Sequence, residues 1–419
     1  MRNPFSVFNK LLLIDGLYEG GRMFVGATSV TYLLNSGLTL SNIAFLKSVQ
    51  AIVLIIAELP TGIFADALGR RLSLFFSTIL SIIGFGFYFM GSNLSSFVIA
   101  ESLTALSLCF WSGAYESFAI DNANLNGSSL DEFFHMNSSI NSALVLIFGL
   151  IGGWLGSKGL QWPYLGAIIS FGFLLLILFN FKNDKEINFD SNNSFKSWIK
   201  NSLNSLINQF NEYIKIILSK EIINSGLFGF IFVQILIQFL IQPILHYWQP
   251  YFSTLNSKIG TNELGYIFAL YCGASVISGS LASALSKKSW FRTITSTWIL
   301  FAMCSITFVI LGQDISFLNA VFIFAIFQGL LKMARTSLSV RINSEISNKS
   351  RASILSFMNL ISKMGMISSL SFLAEFKIPK LMYFQYSMIG IFVVIITGLI
   401  LFFKNLKEIS NDFTEKINF

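Results

Sequence analysis

The chain is poor in charge. Of its 419 residues only 12% are Asp, Glu, Lys or Arg, about half the quarter that a soluble protein needs to face water. Most of its surface must therefore face something else. Histidine is almost absent, with two residues, and the three cysteines, Cys109, Cys272 and Cys304, all sit in apolar runs. They read as small core residues and suggest neither a disulfide frame nor a zinc site. The chain has no glycine-rich phosphate loop, H-E-x-x-H, C-x-x-C or G-x-S-x-G, so ATP hydrolysis and membrane-protease chemistry have no support. No cofactor is expected and the chain is not read as an enzyme. What it has is apolar residues at 54%, a mean hydropathy of +0.68 and 45 phenylalanines. These describe an all-α membrane protein of many spans, and exclude the disordered, collagenous and coiled-coil classes. The net charge of +7 is explained by where the cations sit, and no nucleic-acid partner is expected.

A membrane helix needs roughly 20 mostly apolar residues. Twelve stretches qualify: 8–33, 40–62, 71–91, 95–119, 133–157 and 162–182, then 222–250, 262–286, 290–312, 315–338, 350–375 and 382–404. The opening run carries Asp15, Glu19 and Arg22, which the apolar core of a cleavable signal would not tolerate. Twelve spans put both termini on one side. That side collects Arg2, Lys10, Arg70, Arg71, six lysines between spans six and seven, Lys287, Lys288, Arg292, and the cations around 332–351 and 404–416. The other side has Lys158, Lys258, Lys377 and Lys380. Inner loops carry the excess of Lys and Arg, so both termini are expected in the cytoplasm, with the chain in the cell's inner or plasma membrane. The loop 120–132 departs from this rule, with Asp121, Asp131 and Glu132 and no cation.

Residues 183–220 are polar, yet Ile199, Leu203, Leu206, Phe210, Tyr213 and Ile217 recur at helical spacing. Lys196, Lys200 and Lys215 suit anionic headgroups, so the segment is read as a linker helix lying on the inner leaflet. The chain divides into a six-helix bundle over 1–182, this linker over 183–220 and a six-helix bundle over 221–419. Transporters commonly bind substrate near the midplane between such halves.

After span two stands Gly62-x-x-x-Asp66-x-x-Gly69-Arg70-Arg71, preceded by Glu58-x-Pro60-Thr61. Taken alone it is a tight, charged turn between helices. The pattern resembles the signature loop of the major facilitator superfamily, and the preceding residues resemble its bacterial branch of drug and small-molecule exporters. That resemblance implies two six-helix bundles working by alternating access, usually as a monomer. It implies that Asp66 favours the outward-open state against the cytoplasmic end of span eleven, and that Arg70 pairs with an acid at the end of span four, here Asp121. Gly62, Gly69 and Arg71 complete this gating set. Two departures stand out. Where many members open span four with an arginine, this chain has Glu101, and that puts the family's usual proton-antiport mechanism in doubt. Span five keeps Gly149, Gly152, Gly153 and Gly156 without the proline of antiporters, and close helix packing is sufficient to explain these glycines.

Ionisable groups inside spans cost at least roughly 2.5–3.5 kcal/mol each and point to function. Asp15, Glu19 and Arg22 share one helix face. Glu19 and Arg22 are read as a cavity wall or an internal ion pair, and Asp15 as nearer the cytoplasmic end, within reach of water. Glu116 in span four is a second candidate proton carrier. Gln234, Gln238, Gln242 and His246 repeat every four residues in span seven, offering donors and acceptors to a neutral or zwitterionic ligand. His246 is either a hydrogen-bonded group or one that titrates near neutrality. His135 is placed at the cytoplasmic surface. Lys363 either pairs with an acid or binds an anionic substrate, and Lys47 is expected to snorkel to the interface. The residues read as the substrate and proton cavity are Asp15, Glu19, Arg22, Glu116, Gln238, Gln242, His246 and Lys363. The expected partners are a small molecule, protons and the lipid bilayer. The leading reading is proton-coupled efflux of an amphipathic compound. The alternatives are import or facilitated passage of a nutrient, and a non-transporting membrane sensor or assembly partner on the same fold.

Overall fold

The computed structural model describes residues 4–124, 130–181, 204, 208, 211, 227–292, 294–345, 351–374, 389 and 390. Among them the regular structure is entirely helical. In order the helices are α1 (Pro4–Met23), α2 (Ser29–Asn35), α3 (Leu40–Leu68), α4 (Arg70–Met90), α5 (Leu94–Ser112), α6 (Tyr115–Asn124), α7 (Leu130–Lys158) and α8 (Trp162–Asn180). They continue with α9 (Leu227–Leu255), α10 (Thr261–Leu285), α11 (Ile294–Leu311), α12 (Phe317–Glu345) and α13 (Arg351–Leu373). Seven described stretches are long and apolar enough to cross a membrane. Spans one and four are each made of two helices, α1–α2 and α5–α6. Span twelve lies outside the described residues, as does most of the linker. The linker positions Asn204, Asn208 and Asn211 are helical and exposed, on the face opposite the expected apolar stripe.

Local chemistry sets the helix ends. Thr39 caps α3 and Asn93 caps α5, each in a reciprocal pair with the residue three on, Asn42 and Ser96. Pro163 occupies the first turn of α8, where no N–H partner is needed. One residue, Gly69, separates α3 from α4, with φ at 105°, a conformation that favours glycine. This is the physical reason for the second glycine of the signature loop. The first, Gly62, has a different one: a Cβ on Gly113 would sit 3.2 Å from the Gly62 Cα, so α3 crosses the α5–α6 break backbone to backbone.

The described residues fall into two compact units: 1–272 with 352–377, and 273–351 with 378–419. The core of the first runs through α1–α8, with Tyr18, Phe97, Phe118, Phe133, Tyr164 and Phe171 fully buried. Small polar residues bind α4 to α5: Ser77 donates to the Ser107 carbonyl at 2.9 Å, and Ser73 to that of Phe110 at 2.9 Å. Their lack of bulk lets the helices approach while their hydroxyls stay satisfied. In the second unit Ala282, Phe291, Leu300 and Ala334 form the core, and the Thr297 and Ser337 hydroxyls meet at 2.7 Å. Large apolar side chains also face outward, among them Ile56 and Phe179 at 66% and 73% exposure. That surface suits a lipid solvent.

Candidate functional site

Four groupings of polar side chains lie within the spans of the first unit. The first is built on Asp15. It is buried, not wetted as its sequence position suggested: Trp111 Nε1 donates to Oδ1 at 3.2 Å, and Asn137 Nδ2 (2.7 Å) and Asn141 Nδ2 donate to Oδ2. The carboxylate thereby ties α1 to α5 and α7. Tyr115 adds a bond from its hydroxyl to the Leu11 carbonyl at 3.0 Å. Tyr18, Trp111 and Tyr115 stack in a row, with centroids 3.7 and 5.3 Å apart.

One turn along α1, Arg22 pairs with Glu19 at 3.3 Å, and its guanidinium lies 5.9 Å from the Tyr18 ring centre. Both side chains are partly exposed, at 26% and 33%. Their spacing left open a cavity wall or an internal pair; the two charges do pair, with both side chains partly exposed.

The third grouping was not foreseen. Lys47 does not snorkel. It turns inward to an ion pair with Glu101, whose other oxygen accepts from the Tyr88 hydroxyl. The correction has a simple cause: Glu101 is 2% exposed, and a buried carboxylate needs a countercharge or donors. The sequence did carry a signal, an acid in span four where the resembling family carries a base, but nothing in it linked Lys47 to that acid.

In the fourth grouping Lys363 of α13 pairs with Glu58 of α3. The sequence left open whether Lys363 meets an acid or a substrate, and the structure supplies the acid from just before the signature loop. On α9, Gln242 donates to the Gln238 carbonyl at 3.0 Å and His246 Nε2 lies 3.1 Å from Gln242 Oε1, so these amides bond along their own helix. Gln249 reaches out instead. Its Oε1 accepts from the Val30 and Thr31 amides, both at 3.0 Å, and its Nε2 donates to the Gly26 carbonyl. It satisfies the backbone freed where α1 breaks before α2. Close packing continues nearby: a Cβ on Gly153 would lie 2.7 Å from the Gly265 Cα, and one on Gly152 would strike the Phe24 carbonyl. The span-five glycines therefore serve packing.

At the other end of the helices Arg70 donates to Asp121 Oδ2 at 2.6 Å and to the Ser117 carbonyl at 3.0 Å. Arg71 caps α8 through the Leu178 and Phe179 carbonyls, where a cation meets the negative end of a helix. Asp66 and Glu116 are exposed, and Glu116 lies in the first turn of α6. The contact expected between Asp66 and the start of span eleven falls on side chains outside the described residues, as do those of His135, Asp131 and Glu132. Among the described residues no cluster of His, Cys, Asp and Glu fits a metal ion.

Paired charges thus lie inside apolar helices, beside a turn whose glycines have steric reasons. The family model for the Major Facilitator Superfamily matches residues 12–370. The chain belongs to the Major Facilitator Superfamily. It is a multi-pass membrane protein of a transporter family, not of an enzyme class. A curated relative, the "Uncharacterized MFS-type transporter YxaM" of Bacillus subtilis (strain 168), is 25% identical over 294 residues, covering 68% of this chain and 67% of that one. A solved structure of the nucleoside transporter NupG matches with TM-score 0.72 at 11% identity, over 94% of this chain and 99% of that one. A D-xylose-proton symporter matches with TM-score 0.63 at 16% identity, over 94% and 97%. These structures establish a shared superfamily fold, with which twelve spans agree.

Proposed function

We propose that the protein is a secondary active transporter that moves a small molecule by alternating access, with proton-coupled efflux of an amphipathic compound as its direction. The observation that carries this reading is the Glu58–Lys363 pair, which joins α3 from the first half of the sequence to α13 from the second. An ion pair set among apolar helices is a contact that can be made in one state and released in another once water reaches it. Gln249 supports the reading from the α2–α3 end, where it holds the broken span one against α9. With both termini in the cytoplasm that end would face outward, and closure there would correspond to an outside-closed state. Arg70 and Asp121 would lie at the inner face, where Asp66, Gly62, Gly69 and Arg71 set the angle between α3 and α4. The substrate would bind between the two halves of the sequence, 1–182 and 221–419, against α1, α3, α9 and α13. Glu19, Arg22, Gln238, Gln242, His246 and Lys363 would supply polar contacts and Asp15 would hold the wall; Glu116 would remain at the edge. The protein would work as a monomer.

The second reading is uptake or facilitated passage of a polar nutrient. The partly exposed Gln234 and Gln238 favour it, because uncharged amides suit a neutral solute. Purified protein would be screened for compounds that raise its melting temperature, and hits tested for counterflow in proteoliposomes. Exchange that needs no pH gradient, in a protein that never accumulates substrate against one, would point to facilitated passage. Hits that are transported only with an opposing proton gradient support efflux. If no hit is moved in either assay, and neutralising Glu58 and Lys363 leaves the cellular phenotype intact, the non-transporting reading stands.

A further inference from the structure

The surface of the first unit holds a groove whose chemistry changes in a fixed order along its length. A Cβ on Gly156 would lie 3.3 Å from Thr261 Oγ1, so the end of α7 stands beside the start of α10. Inward from there the two backbones meet at Gly153 and Gly265. Helices that touch at glycines bring their backbones close, and the larger side chains beside the contact need room. On one side that room is filled by Phe268, whose ring lies 2.4 Å from where a Cβ on Gly149 would stand. On the other it is left as a groove of about 330 Å³, lined by Leu150, Ile151 and Trp154 of α7 and by Asn262 and Tyr266 of α10. That volume falls within the range of small-molecule sites.

From the helix ends inward, both walls run in the same order. On α7 come Lys158, Trp154, Ile151 and Ile147, and on α10 come Asn262, Tyr266 and Leu270. Each residue stands three or four from the last, so each row is one helix face. All are exposed except Asn262, which is half-buried. Each row passes from a charge or an amide, through an aromatic ring, to aliphatic side chains. Aromatic rings favour the level of the headgroups. At 1.5 Å per residue the α7 row covers about 16 Å, close to half of the roughly 30 Å of the hydrocarbon core.

The polar end is positive. Lys158 has no acidic partner among the described residues, and its ammonium lies 6.0 Å from the Trp154 ring centre. Lys258 stands exposed just before α10. The neighbouring acid, Glu263, is turned to the Gly260 amide at 3.0 Å, at the start of the same helix.

We propose that this groove is a phospholipid site. One acyl chain lies along Ile151 and Ile147, the glycerol backbone sits between the Trp154 and Tyr266 rings, and Lys158 with the Asn262 amide binds the phosphate of an anionic headgroup. A cleft that opens onto hydrocarbon offers water no partners there, so lipid is its natural filling. Two lysines and an acid already engaged at a backbone amide favour a negative headgroup over a zwitterionic one. The lipid would pad the α7–α10 contact, which joins the first half of the sequence to the second. The site depends neither on the direction of transport nor on its coupling.

The test is native mass spectrometry of the full-length protein, stripped of lipid in detergent and then offered phosphatidylglycerol or phosphatidylethanolamine with the same chains. A melting temperature taken on every variant separates weaker retention from loss of fold. The wild type should retain one phosphatidylglycerol more tightly than phosphatidylethanolamine. Lys158→Gln should weaken phosphatidylglycerol roughly fivefold, and Lys158→Arg should stay near the wild type. Ile151→Trp fills the groove with Lys158 still in place and should weaken both lipids. Lys288→Gln, beyond the far end of α10, should change neither. Equal retention of the two lipids by the wild type, or a preference that survives Lys158→Gln, overturns the headgroup assignment. Retention undiminished in Ile151→Trp overturns the groove. A lipid-free dimer that Ile151→Trp abolishes would mean that a second copy of the chain covers this face, and would overturn the proposal as a whole.

Discussion

Asp15 and Glu101 are both carboxylates enclosed by apolar helices of the same unit, and they are satisfied in opposite ways. Asp15 takes three N–H donors, from Trp111, Asn137 and Asn141. These donors are short, neutral and fixed on two helices, so nothing in the set can leave without a buried donor going unpaired. Glu101 takes a lysine and a tyrosine hydroxyl. A lysine is a point charge on a long flexible stem, not a rigid planar donor. The comparison teaches that burial alone does not mark a working acid. What separates a rivet from a switch is whether the partner can depart.

The largest expected effect is on the Lys47–Glu101 pair. Lys47→Met leaves Glu101 without its cation and should cost about 3–5 kcal/mol of stability, read as a fall in melting temperature. Lys47→Met combined with Glu101→Leu should recover most of that loss, because an apolar pair of similar volume replaces a buried ion pair at little cost. Failure of the double variant to recover would mean that the pair is structural, like Asp15. Next in size is the rivet. Asp15→Ala strands three donors and should cost on the order of 3 kcal/mol, and no second substitution at Trp111 alone should restore it.

Gln249→Ala should cost about 1–3 kcal/mol by exposing the amides of Val30 and Thr31 to no acceptor. Because it loosens the α2–α9 contact, its transport rate should change along with its stability. The smallest effect on stability is expected at Arg70 and Asp121, whose side chains are 32% and 51% exposed. Exposed pairs contribute roughly 0.2–1 kcal/mol. Arg70→Asp should nonetheless impair transport, and Asp121→Arg added to it should restore part of the rate. A double reversal no better than either single change would remove the pair from the gate.

Much of this was legible in the sequence. Span lengths, the signature turn and the internal Glu19–Arg22 pair follow from spacing along one chain. So does the Arg70–Asp121 contact, once the family resemblance supplies its partner. Asp15 and Lys47 were misread for a shared reason. Depth in a bilayer was estimated by counting from a span end, and that count knows nothing of the helix alongside. Asn137 and Asn141 sit one turn apart in span five, a signal for a shared acceptor, but the acceptor lies 122 and 126 positions away. Gln249 stands beyond the amide stripe of span seven, and its partners are the broken turn of span one. A helix break inside an apolar run leaves little trace in composition, and its cap came from 219 residues later.

On the proposed alternating-access reading, the contact between α2 and α9 opens and closes as the protein works. Asn35 and Lys258 are exposed at that end and would accept a pair of spin labels in a background free of Cys109, Cys272 and Cys304. Pulsed distance measurements in lipid, in acid and alkaline buffer and with a stabilising compound added, should show two separations whose populations exchange. A single unchanged separation under every condition, in protein that still transports, would contradict the account.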